Sequence, residues 1–486
     1  MSVSEAIKAA LQISSDLVAL PGSEEYDKIA ESYFTELERD IKPACFITPC
    51  SAVQVADVVK AIKPFASSST LAICGAGQQS TPNVANVHGG LTIHLQKLRG
   101  INVDADRGIV SVAAGERMGS VYDEQRYPQV NADDEVIAAG LGVVGNRHSS
   151  GGIGGDAVQA GLSYFSYARG FVCDNVVSYE IVLASGEVVE ANAERNTDLW
   201  VALKGGGNNF GIVTRFDLRV FPQGQLWGGK VFYFEPSFSG QIRSLVEYLN
   251  SPNPNVDVHI CLSIGHAPMA NDLIAMNDIF CTRPEKPKAL EPFSDVQPQI
   301  EPMKTLRVDS LKALTDEAFS GATANRVTKM TVTVKADIGI LEYAVDTFRT
   351  ALEKLKGIKN LLFSITFEPI PVSLIEQSIA RGGNSLGLKP SDGPLVVVLL
   401  YTAWDNSDDD EKVYEANKEA LQVIKEEAVD NNVYSPYLYM NYAFLHQDPI
   451  DSYGSENKAN LQAISAKYDP EGFFQTAGVG PWKISK

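Results

Sequence analysis

The chain has few cysteines, and their spacing fits neither a disulfide framework nor a zinc site. Its 486 residues include six cysteines. No two of them form a CxxC pair, whereas disulfide scaffolds and zinc sites both need closer spacing. We therefore expect free, mostly buried thiols, with Cys45 and Cys50 able to pair only in an oxidising compartment. Metalloprotease motifs such as HExxH are also missing, so no metal site is expected.

Basic clusters and long apolar runs are missing as well. The formal net charge is −19, and nucleic-acid binding needs a basic face. No apolar run approaches the roughly 18 residues of a membrane-spanning helix. The first 20 residues indicate an amphipathic helix without the basic start of a signal peptide. We therefore expect no nucleic-acid or membrane partner and a cytoplasmic protein, or a secreted one if a signal peptide has been removed.

The first half of the chain combines short strands with glycine loops. Strands at 46–48 and 71–74 flank a helix capped by Ser51, which makes a βαβ unit. Further strands are predicted at 91–95, 109–113 and 212–221, and residues 176–191 form a hairpin that turns at Ser185-Gly186. From about 225 to 435, longer strands and helices alternate around one sheet, which is typical of an α+β domain.

Three glycine-rich segments, at 74–80, 145–155 and 204–213, are the strongest functional signal. Glycine lets backbone N–H groups face a ligand, and successive N–H groups suit a pyrophosphate. A Rossmann interpretation of the first segment has Gly75-x-Gly77 after a strand. However, Ser80 replaces the third glycine, and Thr81-Pro82 stands where a helix should begin. A tight turn would explain one such segment, whereas three of them indicate a binding site.

Five ordered motifs carry a resemblance to a known family. They are the Gly75 to Gln79 loop with the 85–95 strand, the Gly151 to Gly155 segment, residues 198–216, Asn441-Tyr442, and residues 468–474. With them the chain resembles the berberine-bridge-enzyme-like branch of the vanillyl-alcohol-oxidase superfamily, and most of all its fungal members. The resemblance implies an α+β fold. Residues 1–222 and 436–486 would form a two-part PCMH-type FAD-binding domain. Residues 223–435 would form an α+β substrate domain with an antiparallel sheet flanked by helices.

The resemblance also implies which residues contact FAD. The first two loops would hold the pyrophosphate, and the segment from Asn175 to Ile181 would approach the adenine. The predicted cofactor-binding residues are Gly75, Ala76, Gly77, Gln78, Gln79, Ser80, Arg147, Ser150, Gly151, Gly152, Gly154, Gly155, Gly161, Asn175, Val176, Ile181, Gly211, Ile212, Val213, Asn441 and Tyr442.

The sequence departs from the family where the flavin is usually attached. Gln78 stands at the position of the linking histidine, and neither it nor Gln79 can make that bond. His148 stands at the position of the second link, a cysteine. His88, His94 and Cys173 are interpreted as structural residues. We therefore predict that FAD is bound without a covalent link, which would make it a weaker oxidant tuned by hydrogen bonds and nearby charge.

Flavin-dependent oxidation usually needs a base near the substrate. His148, Tyr442 and Glu368 are the predicted catalytic residues. His148 has a suitable ordinary pKa, near about 6.5. Tyr442 would donate a proton, or accept one if its pKa were lowered, and Glu368 ends an apolar strand on the substrate side. Arg147 would pair with the pyrophosphate or with the charge of the reduced flavin, or else lie in solvent.

The resemblance favours an FAD-dependent oxidase or dehydrogenase that acts on a hydrophobic secondary metabolite, with O₂ reoxidising the flavin. Two alternatives remain open at this point. One is a redox-neutral, pericyclase-like cyclase that keeps FAD as a structural cofactor. The other is a flavin-binding protein without catalysis.

Overall fold

A computed structural model describes residues 3–67, 70–123, 140–268, 272–318 and 325–484. Over these residues the strands form three sheets, of four, six and eight strands. The first two use strands up to residue 222, and the third uses strands between residues 226 and 435. The α+β fold class predicted from the sequence is confirmed, while the domain boundaries at 222 and 435 stay a prediction.

The first sheet has the order β1-β2-β4-β3, in which β4 is parallel to β2 and β3, and β1 is antiparallel to β2. The predicted βαβ unit is present as β2, α4 and β3. As predicted, Ser51 caps α4, where its hydroxyl accepts a hydrogen bond from Gln54 N at 3.2 Å. The elements are β1 Val18–Ala19, β2 Cys45–Ile47, β3 Leu71–Cys74, β4 Leu91–His94, α1 Val3–Ile13, α2 Glu24–Glu31, α3 Glu36–Arg39 and α4 Ala52–Ile62.

The second sheet is antiparallel, with the order β5-β6-β10-β8-β9, and β7 pairs with β10. The predicted hairpin is confirmed as β8 and β9. A single short helical turn follows Gly115. The elements are β5 Ile101–Asp104, β6 Ile109–Ala113, β7 Leu141–Val143, β8 Val176–Val182, β9 Val188–Asn192, β10 Ile212–Pro222, α5 Met118–Val121, α6 Ile153–Val158, α7 Ser166–Arg169 and α8 Thr197–Leu203.

The third sheet is also antiparallel, with the order β14-β11-β13-β12-β16-β17-β15-β18. The sequence prediction did not include β12 and β13. The strands are β11 Leu226–Phe234, β12 Val258–His266, β13 Ile274–Cys281, β14 Arg307–Asp309, β15 Arg326–Lys335, β16 Leu362–Ile370, β17 Leu395–Trp404 and β18 Tyr434–Ser435. The helices are α9 Phe238–Leu249, α10 Glu291–Ser294, α11 Leu311–Ala318, α12 Ile338–Leu355, α13 Val372–Ala380 and α14 Asp410–Asp430.

Helices α9 and α12 cover one face of this sheet. Phe363 packs against Phe348 of α12, and Phe367 against Phe238 of α9. Since side chains alternate along a strand, Glu368 points from the opposite face of β16. The chain then ends with α15 Pro449–Ser452, α16 Ser455–Tyr468 and α17 Phe473–Thr476. Within the described ranges, no helix is both long and apolar enough to cross a membrane.

Candidate functional site

All three glycine segments border one cavity. It contains about 1360 Å³ of atom-free space, including part of its open mouth. The predicted site residues on its wall are Gly75, Ala76, Gly77, Gln78, Gln79, Arg147, His148, Gly151, Gly152, Gly154, Gly155, Gly211, Ile212, Val213, Asn441 and Tyr442.

The first two loops are held against each other. A Cβ on Gly152 would lie 2.6 Å from the Cβ of Ala76, so only glycine permits this approach. Arg117 joins the loops by donating hydrogen bonds to the carbonyls of Ser150 and, at 3.1 Å, Ala76. The backbone of the cavity wall is therefore fixed by an arginine that the sequence prediction did not include.

Arg147 links the second loop to the third sheet. Its Nη1 lies 2.6 Å from Oε1 of Glu368, and its Nη2 donates to the Tyr442 hydroxyl at 2.8 Å. The Tyr442 hydroxyl donates in turn to Oε2 of Glu368 at 3.2 Å. The Glu368 side chain is 2% exposed and that of Arg147 14%. The three residues form a closed, buried network, with Arg147 and Tyr442 on the cavity wall and Glu368 behind them.

His259 of β12 completes this network. Its Nε2 lies 3.2 Å from Nη1 of Arg147, and because arginine can only donate, this nitrogen must accept. The proton of the neutral ring is then on Nδ1, which is buried and has no partner among the described residues. Burial and the charge of Arg147 lower the pKa of His259. His259 is therefore a neutral acceptor that orients Arg147.

The protonation states of the cavity side chains follow from their surroundings. Burial raises the pKa of Tyr442 above its ordinary range despite Arg147, so Tyr442 keeps its proton. His148 is exposed to the cavity, yet the enclosing walls and then the charges of Lys329 and Arg147 lower its pKa to about 3. The imidazole of His148 is therefore neutral and a weak base.

Lys329 was not predicted from the sequence but lies on the cavity wall. Burial lowers the pKa of its amine to about 8, with Asp156 opposing the shift. The amine lies 5.5 Å from the ring centre of Tyr442. Within the described part of the chain, no carboxylate comes within ion-pair distance of it. A lysine in the middle of a strand that otherwise alternates apolar residues and threonines (RVTKMTVTVK) is the signal that could have identified it.

Asp156 places a carboxyl group on the same wall. Its Oδ2 accepts a hydrogen bond from Asn146, which stands in the second loop. Burial nevertheless raises the pKa of Asp156 to about 6. Gly161 lies behind it, where a Cβ would be 2.8 Å from the Asp156 Cβ.

Some predicted site residues do not line the cavity. Ser80 is fully buried, and Asn175 donates hydrogen bonds to the carbonyls of Arg169 and Phe171. Their contact with a cofactor stays a prediction, as it does for Ser150, Gly161, Val176 and Ile181. His88, His94 and Cys173 also lie off the cavity wall.

The cavity suits the diphosphate of FAD. A Cβ on Gly154 would meet no atom within 4 Å, and one on Gly155 would only reach Gln159 at 3.8 Å, so both glycines leave space that belongs to a ligand. Lys329 supplies positive charge at the same wall below about pH 8. Backbone amides without intervening Cβ atoms, together with cations, are what a diphosphate requires.

Comparison with known proteins agrees with this fit. Residues 43–192 match the FAD binding domain family. The FAD-dependent monooxygenase tpcD of Cochliobolus heterostrophus is 34% identical over 94% of this chain and 88% of its own length. The bifunctional solanapyrone synthase of Alternaria solani is 29% identical over 90% of this chain and 81% of its own.

The fold has solved counterparts. Glucooligosaccharide oxidase of Acremonium strictum, described with a 6-S-cysteinyl, 8α-N1-histidyl FAD, superposes with a TM-score of 0.76. It is 17% identical, and the match covers 99% of this chain and all of the other. The 34% identity to tpcD over most of the chain shows that this protein belongs to the same family of FAD-dependent oxidoreductases, and a solved berberine-bridge-enzyme-like protein shares its fold.

Proposed function

We propose that this enzyme oxidises a hydrophobic small molecule of fungal secondary metabolism, with FAD bound without a covalent link. The observation that carries the proposal is the single cavity bordered by three glycine segments, with Gln78, His148, Lys329 and Tyr442 on its wall. FAD bound there supplies a hydride acceptor. The protein's own side chains must then orient the substrate and take up its proton.

The buried network assigns different roles to the three residues predicted to be catalytic. Tyr442 keeps its proton and donates a hydrogen bond to Glu368, so its hydroxyl is a fixed part of the cavity wall. Glu368 is engaged by Arg147 and Tyr442, so it positions those two side chains. His148 is neutral and serves as a hydrogen-bonding partner. Neither Tyr442 nor His148 is tuned to accept a proton near neutral pH.

Lys329 is the group tuned for that step. An effective base has a pKa near the working pH, and the pKa of this amine is about 8. Its Nζ would take the proton of a substrate hydroxyl. Because the amine is protonated below its pKa, the step becomes faster as the pH rises to about 8.

Replacing Lys329 by methionine should remove this pH dependence. In the unmodified enzyme kcat/KM should rise about tenfold per pH unit below the pKa and level off above about 8. The variant should lose about 10²–10⁴-fold in kcat/KM and show no rise in that range. Lys335→Met, at an exposed position on the same strand, is the control and should keep the full profile. A Lys329→Met profile parallel to that of the control would exclude this role.

The absence of a covalent link follows from the chemistry of Gln78. A glutamine amide is not nucleophilic, and His148 is the one histidine on the described cavity wall. Acid precipitation of the purified holoenzyme should leave the yellow flavin in the supernatant. A yellow pellet after washing, with a mass increase of the peptide that carries His148, would refute the proposal.

Gly154→Leu should weaken FAD binding without disturbing the fold. The new side chain has no protein atom near its Cβ and would occupy ligand space. Overpacking of about 1–3 kcal/mol corresponds to about 10–100-fold weaker binding. Gly240→Leu, which also places a side chain in open space in the first turn of a helix, should bind FAD normally. Fluorescence titration of the apoprotein measures both, and equal affinities would argue against the assigned cavity.

A redox-neutral cyclisation is the second candidate, because a relative is named a bifunctional synthase. Anaerobic mixing of the holoenzyme with hydrophobic alcohols and phenols should bleach the flavin absorbance near about 450 nm if substrate is oxidised. Product that forms without bleaching would reject the oxidation and favour cyclisation.

Since a relative is named a monooxygenase, products formed under ¹⁸O₂ will show whether oxygen is inserted.

A further inference from the structure

Three arginines lie together outside the cofactor cavity. Arg169 is the last residue of α7, Arg219 lies near the end of β10, and Arg381 directly follows α13. Helices α7 and α13 pack against each other. Such a cluster is unexpected in a chain whose net charge is −19, because like charges held close together repel.

Contacts on β10 bring Arg169 and Arg219 together. The guanidinium of Arg169 lies 3.5 Å from the ring centre of Phe221. Phe221 and Arg219 are two residues apart on one strand and so share a face. The Phe221 ring is also covered by Phe165 at 5.1 Å. Arg169 is thus held flat beside the position of Arg219, which is exposed.

The backbone of Arg381 is fixed by a hydrogen bond, whereas the Nε of its side chain has no hydrogen-bond acceptor among the described residues. Its carbonyl accepts a hydrogen bond from the buried amine of Lys204 at 3.2 Å. Its Nε is buried and has no acceptor among the described residues. A buried donor without a partner is costly, and in native proteins it commonly marks a missing water or ion.

The carboxylates nearby are already engaged. Asp174 accepts hydrogen bonds from Ser378 Oγ at 2.6 Å, Asn384 Nδ2 at 3.0 Å and Phe171 N at 2.8 Å. Asp257 pairs with Arg283 at 3.3 Å. Within the described ranges no carboxylate lies within ion-pair distance of the three arginines.

Burial and mutual repulsion both disfavour the charged form of these arginines. Burial and then Arg381 lower the pKa of Arg169. Burial and then Arg219 lower the pKa of Arg381. The ends of α7 and α13 offer some compensation, because a helix C-terminus attracts cations. That attraction acts on the charge of Arg381 but supplies no acceptor for its Nε.

We propose that Arg169, Arg219 and Arg381 form a binding site for the phosphate group of a small molecule, separate from the FAD cavity. Guanidinium groups match phosphate oxygens in pairs, and one anion between the three side chains would remove their repulsion and satisfy Arg381 Nε. The half-buried positions of Arg169 and Arg381 suit a small ligand better than a flat protein surface.

The test is calorimetric titration of the FAD-loaded holoenzyme at constant ionic strength, with inorganic phosphate in one arm and glycerol 2-phosphate in the other. Loading with FAD keeps the probes out of the cofactor cavity. Saturable binding is expected, and Arg219→Gln should weaken it at least about tenfold. Arg243→Gln, at an exposed arginine of α9, should bind both probes as the unmodified protein does.

The two arms distinguish the source of the phosphate. Binding of inorganic phosphate alone assigns a free anion, and tighter binding of the ester assigns an organic phosphate. Failure of both probes to bind, or equal affinity in Arg219→Gln, would overturn the proposal. If polyglutamate bound and neither phosphate probe did, the proposal would also be overturned, and the result would indicate an acidic protein partner. An unchanged flavin spectrum and melting temperature show that each variant is folded.

Discussion

Arg147→Met is expected to lower the free energy of unfolding by about 3–5 kcal/mol. The substitution leaves the carboxylate of Glu368, which is 2% exposed, without its cation and removes a donor to Tyr442. A buried charge that loses its partner costs far more than the intact pair contributes. Urea unfolding at pH 8, followed by tryptophan fluorescence, measures the loss.

A second substitution separates the charge effect from simple loss of packing. Arg147→Met combined with Glu368→Gln should recover most of the lost stability, because neither charge of the buried pair remains. The exposed Arg243→Met should leave the free energy of unfolding unchanged. If the double variant were as unstable as Arg147→Met alone, the ion pair would not be the source of the effect.

The network also explains why Arg147 is a poor candidate for direct pyrophosphate binding. Its Nη1 and Nη2 are directed to Glu368, His259 and Tyr442, as the sequence could not show. These partners lie more than 100 positions away along the chain. Local patterns can identify an arginine on a glycine loop, but they cannot give its partner on a distant strand.

Features fixed by local chemistry were predictable. Ser51 caps α4 because a serine hydroxyl accepts from an amide three residues on. The glycine segments were predicted to meet because several loops of that composition suit one anionic ligand, and they do border one cavity. Strands β12 and β13 escaped prediction, because the order of a large antiparallel sheet depends on packing between distant segments.

The site residues missed from the sequence act through tertiary contacts. Arg117 stands between two loops whose proximity is a property of the fold. Lys329 acquires its lowered pKa only because the third sheet places it against the cavity. In the sequence alone, nothing distinguishes these two residues from ordinary surface cations.

Glu38 is a buried acid behind the same wall. Its Oε1 accepts hydrogen bonds from the amides of Val84 at 3.1 Å and Ala85 at 3.0 Å, two residues that line the cavity. Its Oε2 is buried and has no partner within the described residues. Burial raises the pKa of this carboxyl to about 8, although the backbone amides of Ala85, Val84 and Asn83 oppose the shift.

Glu38→Gln should therefore remove a loss of stability at alkaline pH. Between about pH 4.5 and 8 the folded protein holds a proton that the unfolded chain releases, so stability falls as the pH rises. The shift corresponds to about 3–5 kcal/mol over this window. Glutamine keeps the acceptor for Val84 and Ala85 and has no charge. The variant should match the unmodified protein near pH 5 and be the more stable one near pH 8.5 in urea unfolding.

Glu31→Gln, at an exposed position of α2, should follow the unmodified protein throughout. If the curve for Glu38→Gln ran parallel to it as well, Glu38 would be ionised in the folded protein and the cavity wall would have to be more hydrated than its burial indicates.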